Sequence, residues 1–446
     1  MNQFNIDEMK KTLLIVFILY NFWGFGQKFR SFQTTKFDST ITEGYYFIVL
    51  KDSLVILDKN LDLLYVKTFK QVYNFDLIEN GNMFFYSSPF FYEMDSTFKT
   101  LDSIACKNGV ETDPHDIIFL PKGNVILMGT EKVKFDISKF PEWKSRMQDT
   151  SGTSSTVIQE MDTNKNVIFE WHAKDHFELN DADLFFDSLG GQWLHSNAIE
   201  LDTDGNILLS SRNLNEITKI NRKDGSIMWR LGGKRNEFKF VDCPVPFYGQ
   251  HNIRRLENGH LTLFDNGMYI ESHRPRALEF ELDEKNKVAY LKWSYVYNKD
   301  ITSVGRGNVE RMKNGNTLIC FGNQISNDLC FIVVNASGAV LFQVNSKPAI
   351  NPYKVIYHPT LPFKLHRPEI KCADLDGAKY LDAGAGYKSY KWSTGDSTRT
   401  IAIKQAGSYS VFVPYGEGGY ISSEKIIIND AALPCKTKNN YKKNKK

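Results

Sequence analysis

The stretch from His195 to Lys234, "HSNAIELDTDGNILLSSRNLNEITKINRKDGSIMWRLGGK", holds two turn dipeptides, Asp204-Gly205 and Asp224-Gly225. Each is followed by a strand-like apolar run, "ILLSS" and "SIMWRL". An Asp-Gly or Asn-Gly step between such runs is a strong short-range signal for a β-hairpin. Two consecutive hairpins predict a four-stranded antiparallel unit. The first hairpin type recurs in "ENGNMFFYS" from Glu79, "PKGNVILMG" from Pro121, "ENGHLTLFD" from Glu257 and "KNGNTLICF" from Lys313. The second recurs in "VILDKNLDLLYVKTF" from Val55, "EMDSTFKTLDSI" from Glu93, "QEMDTNKNVIFEW" from Gln159, "FELDEKNKVAYLKW" from Phe280 and "VVNASGAVLFQV" from Val333. Their alternation gives six units, with "YYFIVLKD" from Tyr45 as a degenerate partner. Self-similarity at this period in an all-β chain predicts a six-bladed β-propeller, whose blades surround a central channel. A series of β-sandwiches is the alternative, and the strict alternation of two hairpin types favours the propeller.

Within this repeat, histidines recur in register. His115 and His251 each lie eight residues before the turn glycine of their unit, Gly123 and Gly259, and His195 lies ten before Gly205. The aligned positions in two other units hold Tyr73 and Gly307, so a histidine there is not a requirement of the repeat. The first strand of a blade lines the channel, so these positions face one another across its mouth. One such histidine alone reads equally well as a buried residue satisfied by backbone. Three at matched positions point to a site. Three imidazoles are also a possible metal set, but Arg212, which follows the second strand of the His195 hairpin, argues against it. A guanidinium repels a cation and suits an oxyanion through paired donors. Asn197, on the same face as His195 by strand alternation, adds an amide donor. The pattern predicts a pocket for a sulfate- or phosphate-like group, with one histidine as nucleophile or general base. The remaining histidines, such as His172, His176 and His358, match no such position and read as surface or loop residues.

At these residues the chain resembles the arylsulfotransferase family. The similar segments are "PHDIIFLPKGNVILMG", the stretch from His195 to Lys234, "GQHNIRRLENGHLTLFDNG" and "GNVERMKNGNTLICFGN". The resemblance implies a six-bladed propeller that moves a sulfuryl group from an aryl sulfate donor to a phenol acceptor without a nucleotide sulfate donor. In keeping with that, the chain has no Gly-rich phosphate loop. It implies that His251 is the nucleophile and passes through a sulfohistidine. His115, His195 and Arg212 then bind the sulfate and stabilise charge on its oxygens. No cofactor or metal is expected. The competing readings are a non-catalytic propeller that binds an anionic or sulfated ligand at the cell surface, and a hydrolase that releases inorganic sulfate.

The flanks complete the organisation. "MKKTLLIVFILYNFWGFGQ", from Met9, combines two lysines, an apolar run and Gly24-Phe25-Gly26, the pattern of a cleavable export signal over residues 1–26 with Met9 as a possible start. The run is short of the roughly 20 residues that a membrane span needs. The expected location is therefore outside the cytoplasm, in the periplasm or at the cell surface, with no membrane span in the mature chain. A propeller is expected over 28–367. After Pro368, short alternating strands with Trp392 and Tyr409 as core aromatics predict a small β-sandwich over 369–430, similar to the Ig-like repeats appended to secreted Bacteroidetes proteins. The lysine-rich residues 431–446 read as a solvated tail, and a net charge of +3 is too small to imply nucleic acid. Of the six cysteines, Cys320 and Cys330 flank one hairpin connection and are the first pair expected to form a disulfide in an oxidising compartment.

Overall fold

Turn chemistry sets the strands. Gly205 and Gly259 take φ of 81° and 83°, a region that costs glycine nothing and other residues a good deal. At the first, Gly205 N–H donates to the Asp202 carbonyl and Asp202 N–H to the Asn206 carbonyl, each at 2.8 Å. The computed structural model describes residues 15–17, 31–38, 44–143, 153–183, 192–268, 274–297, 301–323, 328–347, 352–375 and 378–429. Most of the expected leader and the whole of the 431–446 tail lie outside them. The described residues form an all-β chain of small antiparallel sheets with only short 3-10 turns between them, consistent with a β-propeller.

Four sheets contain consecutive strands. The first unit runs over 72–104, the second over 111–172, the third over 196–232 and the fourth over 251–296. The fifth begins with Asn308–Arg311 and ends with Val340–Lys347, which pairs outward with Ser31–Lys36. Of the remaining sheets, two are small and formed by residues after 369, and the third, of seven strands, joins the two ends of this series. Its inner strand is Val355–His358, and its next three strands are Tyr45–Leu50, Ser53–Leu57 and Leu63–Thr68. Val355 stands opposite Ile48, so residues far apart in the chain share one ladder. The inner strands contact one another in succession from Val72–Leu77 to Val355–His358, and Tyr45–Leu50 returns to Val72–Leu77. The apolar core therefore lies between neighbouring sheets. Ala198, Leu208, Ile217 and Trp229 of the third unit pack on Ile253, Leu261 and Leu278 of the fourth. Both faces of middle strands such as Leu261–Asp265 are covered, so burial runs through every position without alternation.

Two expectations need correction. Cys320 and Cys330 are both buried and make no disulfide with each other, and Cys243, buried, and Cys106, partly buried, are not disulfide-bonded either. Cys320 stands opposite Phe331, and Cys330 sits in the irregularity between Leu329 and Phe331. The two thiols are not set opposite each other, as a bridge requires. Cys372 is disulfide-bonded, with its partner outside the described residues. His358 and His172 are not loop residues. His358 ends the inner closing strand, bonds to Asp76 at 2.7 Å and packs edge-on to Phe47. His172 ends the strand Val167–His172 between Glu131 and Glu170.

The residues after 369 do not stand apart. Gly419–Ser422 adds to Leu63–Thr68, with Tyr420 opposite Val66, and this extends the closing sheet outward through Val411–Tyr415 to Lys391–Trp392. Trp392 and Tyr409 are buried, in one cluster with Phe47, Leu54 and Tyr65 of the closing unit. Arg367 fastens the junction by donating to Asp58 and to the Ser422 and Ser423 carbonyls. No helix among the described residues is long and apolar enough to cross a membrane.

Candidate active site at the channel mouth

The three registered histidines converge because each inner strand begins with a break in its ladder. The register shifts between Thr112 and Ile117, between Ser196 and Ala198, and between His251 and Arg254. Positive φ at His195 (47°) and Asn252 (57°) marks the same breaks. A bulge turns one side chain out of the pleat and re-aims its neighbour. The ring centroids of His115 and His195 are 5.4 Å apart, and those of His195 and His251 are 6.5 Å apart.

Arg212 opens a short 3-10 turn after the strand Ile207–Ser211, and its backbone N–H donates to the His195 carbonyl at 3.2 Å. This returns the guanidinium to the histidine end of the unit. Its Nη2 donates to the Val304 carbonyl at 3.0 Å and lies 3.1 Å from Met268 Sδ. Burial, then the neighbouring His115, Arg212 and His251, holds the His195 imidazole well below its ordinary proton affinity. Burial, then Arg212, does the same to His251, against the opposing pull of its Asn266 and Gly249 acceptors. Both rings are therefore neutral at neutral pH.

The two end histidines have different partners. His115 Nδ1 lies 2.6 Å from Asp113 Oδ1, which also accepts the His115 backbone N–H at 2.8 Å. His251 Nδ1 lies 2.7 Å from Asn266 Oδ1 and 3.0 Å from the Gly249 carbonyl. A carbonyl only accepts, so the His251 proton sits on Nδ1 and Nε2 carries a bare lone pair. Gly305 lies beside this edge of the ring, where an added Cβ would come within 3.9 Å of Nε2 and 3.8 Å of Cε1.

Asn197 is placed differently from the sequence expectation. It sits at the register shift between Ser196 and Ala198, where strand alternation does not hold. It is fully buried, and its Nδ2 donates to the Gln250 carbonyl at 2.7 Å. Gln250 in turn donates to the Ser211 and Glu216 carbonyls of the third unit. Asn197 thus helps staple the start of the His251 strand to its neighbour. Asn74 and Asn308 make similar links between inner strands, to the His115 carbonyl and to Val355.

Sequence reading missed four contributors. Asp113 is two residues from His115, and "DPH" was the available signal. Asn266 lies in "FDNG", which reads only as the end of a strand. Tyr353 precedes the closing strand, sets its ring 5.7 Å from that of His115 and donates its hydroxyl to the Asn197 carbonyl at 3.2 Å. Gly305 carries no local signal for a place beside His251. Among the described residues, no group of three His, Cys, Asp or Glu side chains has the geometry to hold a metal.

A mouth with one guanidinium and clustered imidazoles can hold a small oxyanion and offer a nitrogen nucleophile. Among solved structures, a Bacteroides caccae protein of unknown function overlaps 71% of this chain and 98% of its own at 13% identity and a TM-score of 0.48. Virginiamycin B lyase from Staphylococcus aureus overlaps 79% and 95% at 9% identity and a TM-score of 0.37. A luciferin-regenerating enzyme overlaps 71% and 96% at 11% identity and a TM-score of 0.40. These overlaps are too loose to bear on site or substrate. No curated protein matches the chain. The arylsulfotransferase (ASST) family profile matches residues 33–353, a span that contains every one of the mouth residues above. The chain belongs to the arylsulfotransferase family.

Proposed function

We propose that this protein transfers a sulfuryl group from an aryl sulfate to a phenolic acceptor in a ping-pong reaction through a sulfohistidine at His251. The single observation that carries the reading is the pair of acceptors on His251 Nδ1, which leaves Nε2 unprotonated beside Arg212. In the first half-reaction, the Nε2 lone pair attacks sulfur. The N–S bond forms, the S–O bond to the ring breaks, and the phenolate leaves with the electron pair. The His251 ring keeps its Nδ1 proton and becomes a sulfated imidazolium. In the second half-reaction, the acceptor oxygen attacks sulfur, the N–S electrons return to Nε2 and the phenol proton departs to a base or to water. Arg212, with His115 and His195, binds the sulfate oxygens. Donors fixed in advance gain most where charge builds up in the transition state. The His115–Asp113 pair is suited to pass the phenol proton in each direction.

The reading extends to the whole chain. The sheets form a six-bladed propeller, and the strands after 369 are a small Ig-like module fused to its closing blade. The protein is exported to the periplasm or the cell surface, which fits the apolar leader pattern and the disulfide at Cys372. The test is direct. The mature chain is incubated with para-nitrophenyl sulfate and a panel of phenols. Release of nitrophenol together with a new sulfate ester supports the transfer. Release of inorganic sulfate instead identifies a hydrolase, and saturable binding without turnover identifies a binding protein.

A further inference from the structure

We propose that Asn266 is a positioning residue for the nucleophile: its carboxamide, clamped between Ser303 and the Arg306 carbonyl, holds the His251 proton on Nδ1 and so keeps Nε2, on the ring edge beside Gly305, bare. This rests on the sulfuryl-transfer reading of His251.

The network determines the direction of every proton in it. Ser303 Oγ donates to the Phe321 carbonyl at 2.7 Å, so it accepts from Asn266 Nδ2 at 2.8 Å. The second Nδ2 hydrogen goes to the Arg306 carbonyl at 3.0 Å. With both amide hydrogens committed, Oδ1 faces His251 and accepts. The flipped amide is excluded on two counts. It would set its oxygen against the Arg306 carbonyl, two acceptors with no hydrogen between them. It would also set its NH2 against a ring nitrogen that must donate to the Gly249 carbonyl. Three backbone carbonyls, those of Phe321, Arg306 and Gly249, therefore fix the tautomer. His251, Asn266 and Ser303 are 3%, 2% and 1% exposed, so water does not compete for these bonds.

The choice of an amide has a chemical consequence. A carboxylate in this place orients an imidazole but also stabilises its protonated form, which cannot attack. An amide orients the ring without adding charge. The contrast is within the same mouth, where His115 does have a carboxylate, Asp113. Ser303 and Arg306 come from the segment that leads into the fifth unit, so the aim of a fourth-unit histidine is set from the adjacent unit.

The experiment uses the full chain with 15N-labelled histidine, the His251 signals being assigned by their loss in His251→Ala. The expected wild-type spectrum at neutral pH shows Nδ1 protonated and Nε2 bare. In Asn266→Ala the pattern moves toward a mixture of tautomers. With para-nitrophenyl sulfate, kcat falls about 10- to 100-fold at little-changed donor KM, the range typical for loss of a bond that orients a functional imidazole. Ser303→Ala, a milder change, moves both readouts in the same direction by less and carries the test if Asn266→Ala does not fold. An Nε2-protonated wild type overturns the proposal, and so does an Asn266→Ala protein with unchanged tautomer and kcat. A chain that turns over no aryl sulfate sinks the transfer reading alone, because the tautomer spectrum still decides the role of Asn266.

Discussion

The mouth of the channel and the layer just below it are built from the same inner strands, yet they treat charge in opposite ways. At the mouth, burial and then neighbouring groups, Arg212 among them, hold the His195 and His251 imidazoles well below their ordinary proton affinity. One residue beyond His115, Asp116 is held between Arg254 at 3.0 Å and Lys354 at 3.2 Å. Burial pushes the Asp116 carboxyl up, but those two cations outweigh it and keep it ionised. Nearby, burial raises Glu200 to about 7 and Glu310 to about 8, and lowers Lys354 to about 8. Charges in the lower layer are satisfied by one another and by backbone, which suits a rigid frame. The mouth has the Arg212 guanidinium beside the imidazoles, and the Asp113 carboxylate there is already bonded to His115, which suits an anion arriving from solution. The lesson is that a buried cluster of charge is not by itself a site, and the partners each group already has decide which role it plays.

Substitutions in the two layers should separate these roles. The largest effect is expected for His251→Ala, which should abolish both turnover and the covalent sulfate adduct, read by mass-tagged sulfate and peptide mapping. An adduct that survives, or a label on the His195 peptide, moves the nucleophile to the neighbouring unit. In the lower layer, Asp116→Ala leaves Arg254 and Lys354 without their shared partner and should cost about 3–5 kcal/mol of stability, seen in denaturant melts. The label on the folded fraction should still map to His251. Loss of the label with no loss of stability would erase the distinction between the layers.

Arg212→Lys keeps the charge but loses the paired donors, and kcat/KM should fall about 100- to 1000-fold with the fold intact. Gly305→Val fills the space beside Nε2. It should lower kcat/KM about 100-fold, the scale of a misplacement near 1 Å, while thermal melts show whether its φ of 154° adds strain. The smallest effect concerns pH. His251 and His195 have proton affinities below the usual 6.5, so their attacking and binding forms persist down through that pH. The acid limb of kcat/KM should therefore appear well below pH 6.5, with no change attributable to these rings above it. Stability has the matching sign: the unfolded rings take up protons first, so their contribution is complete above pH 6.5 and erodes as pH falls below it. An acid limb centred at or above 6.5 would mean that burial and Arg212 together do not hold down the proton affinity of His251.

The sequence by itself determined the repeat and most of the mouth. Asp204-Gly205 and Asn258-Gly259 need only local backbone geometry to make hairpins, and alternating apolar runs need only a sheet to bury them. Counting back from those glycines was enough to register His115, His195 and His251, and Arg212 followed from the length of one strand. Tertiary structure decided what depends on neighbours distant in the chain. Asn197 falls at a break in its ladder and its amide goes to the Gln250 carbonyl, because strand alternation holds only while the ladder is unbroken. Cys320 and Cys330 are close in sequence, but register and a ladder irregularity keep them from standing opposite each other. Val355–His358 joins strands from the other end of the chain because sheets packed side by side close only with a strand at that edge. That closure also brings Tyr353 beside His115. Docking of the fifth unit on the fourth brings Ser303 and Arg306 to Asn266, and through it fixes the proton on His251. Hydrogen-bond partners across units depend on how whole sheets pack, and no local run of residues carries that information.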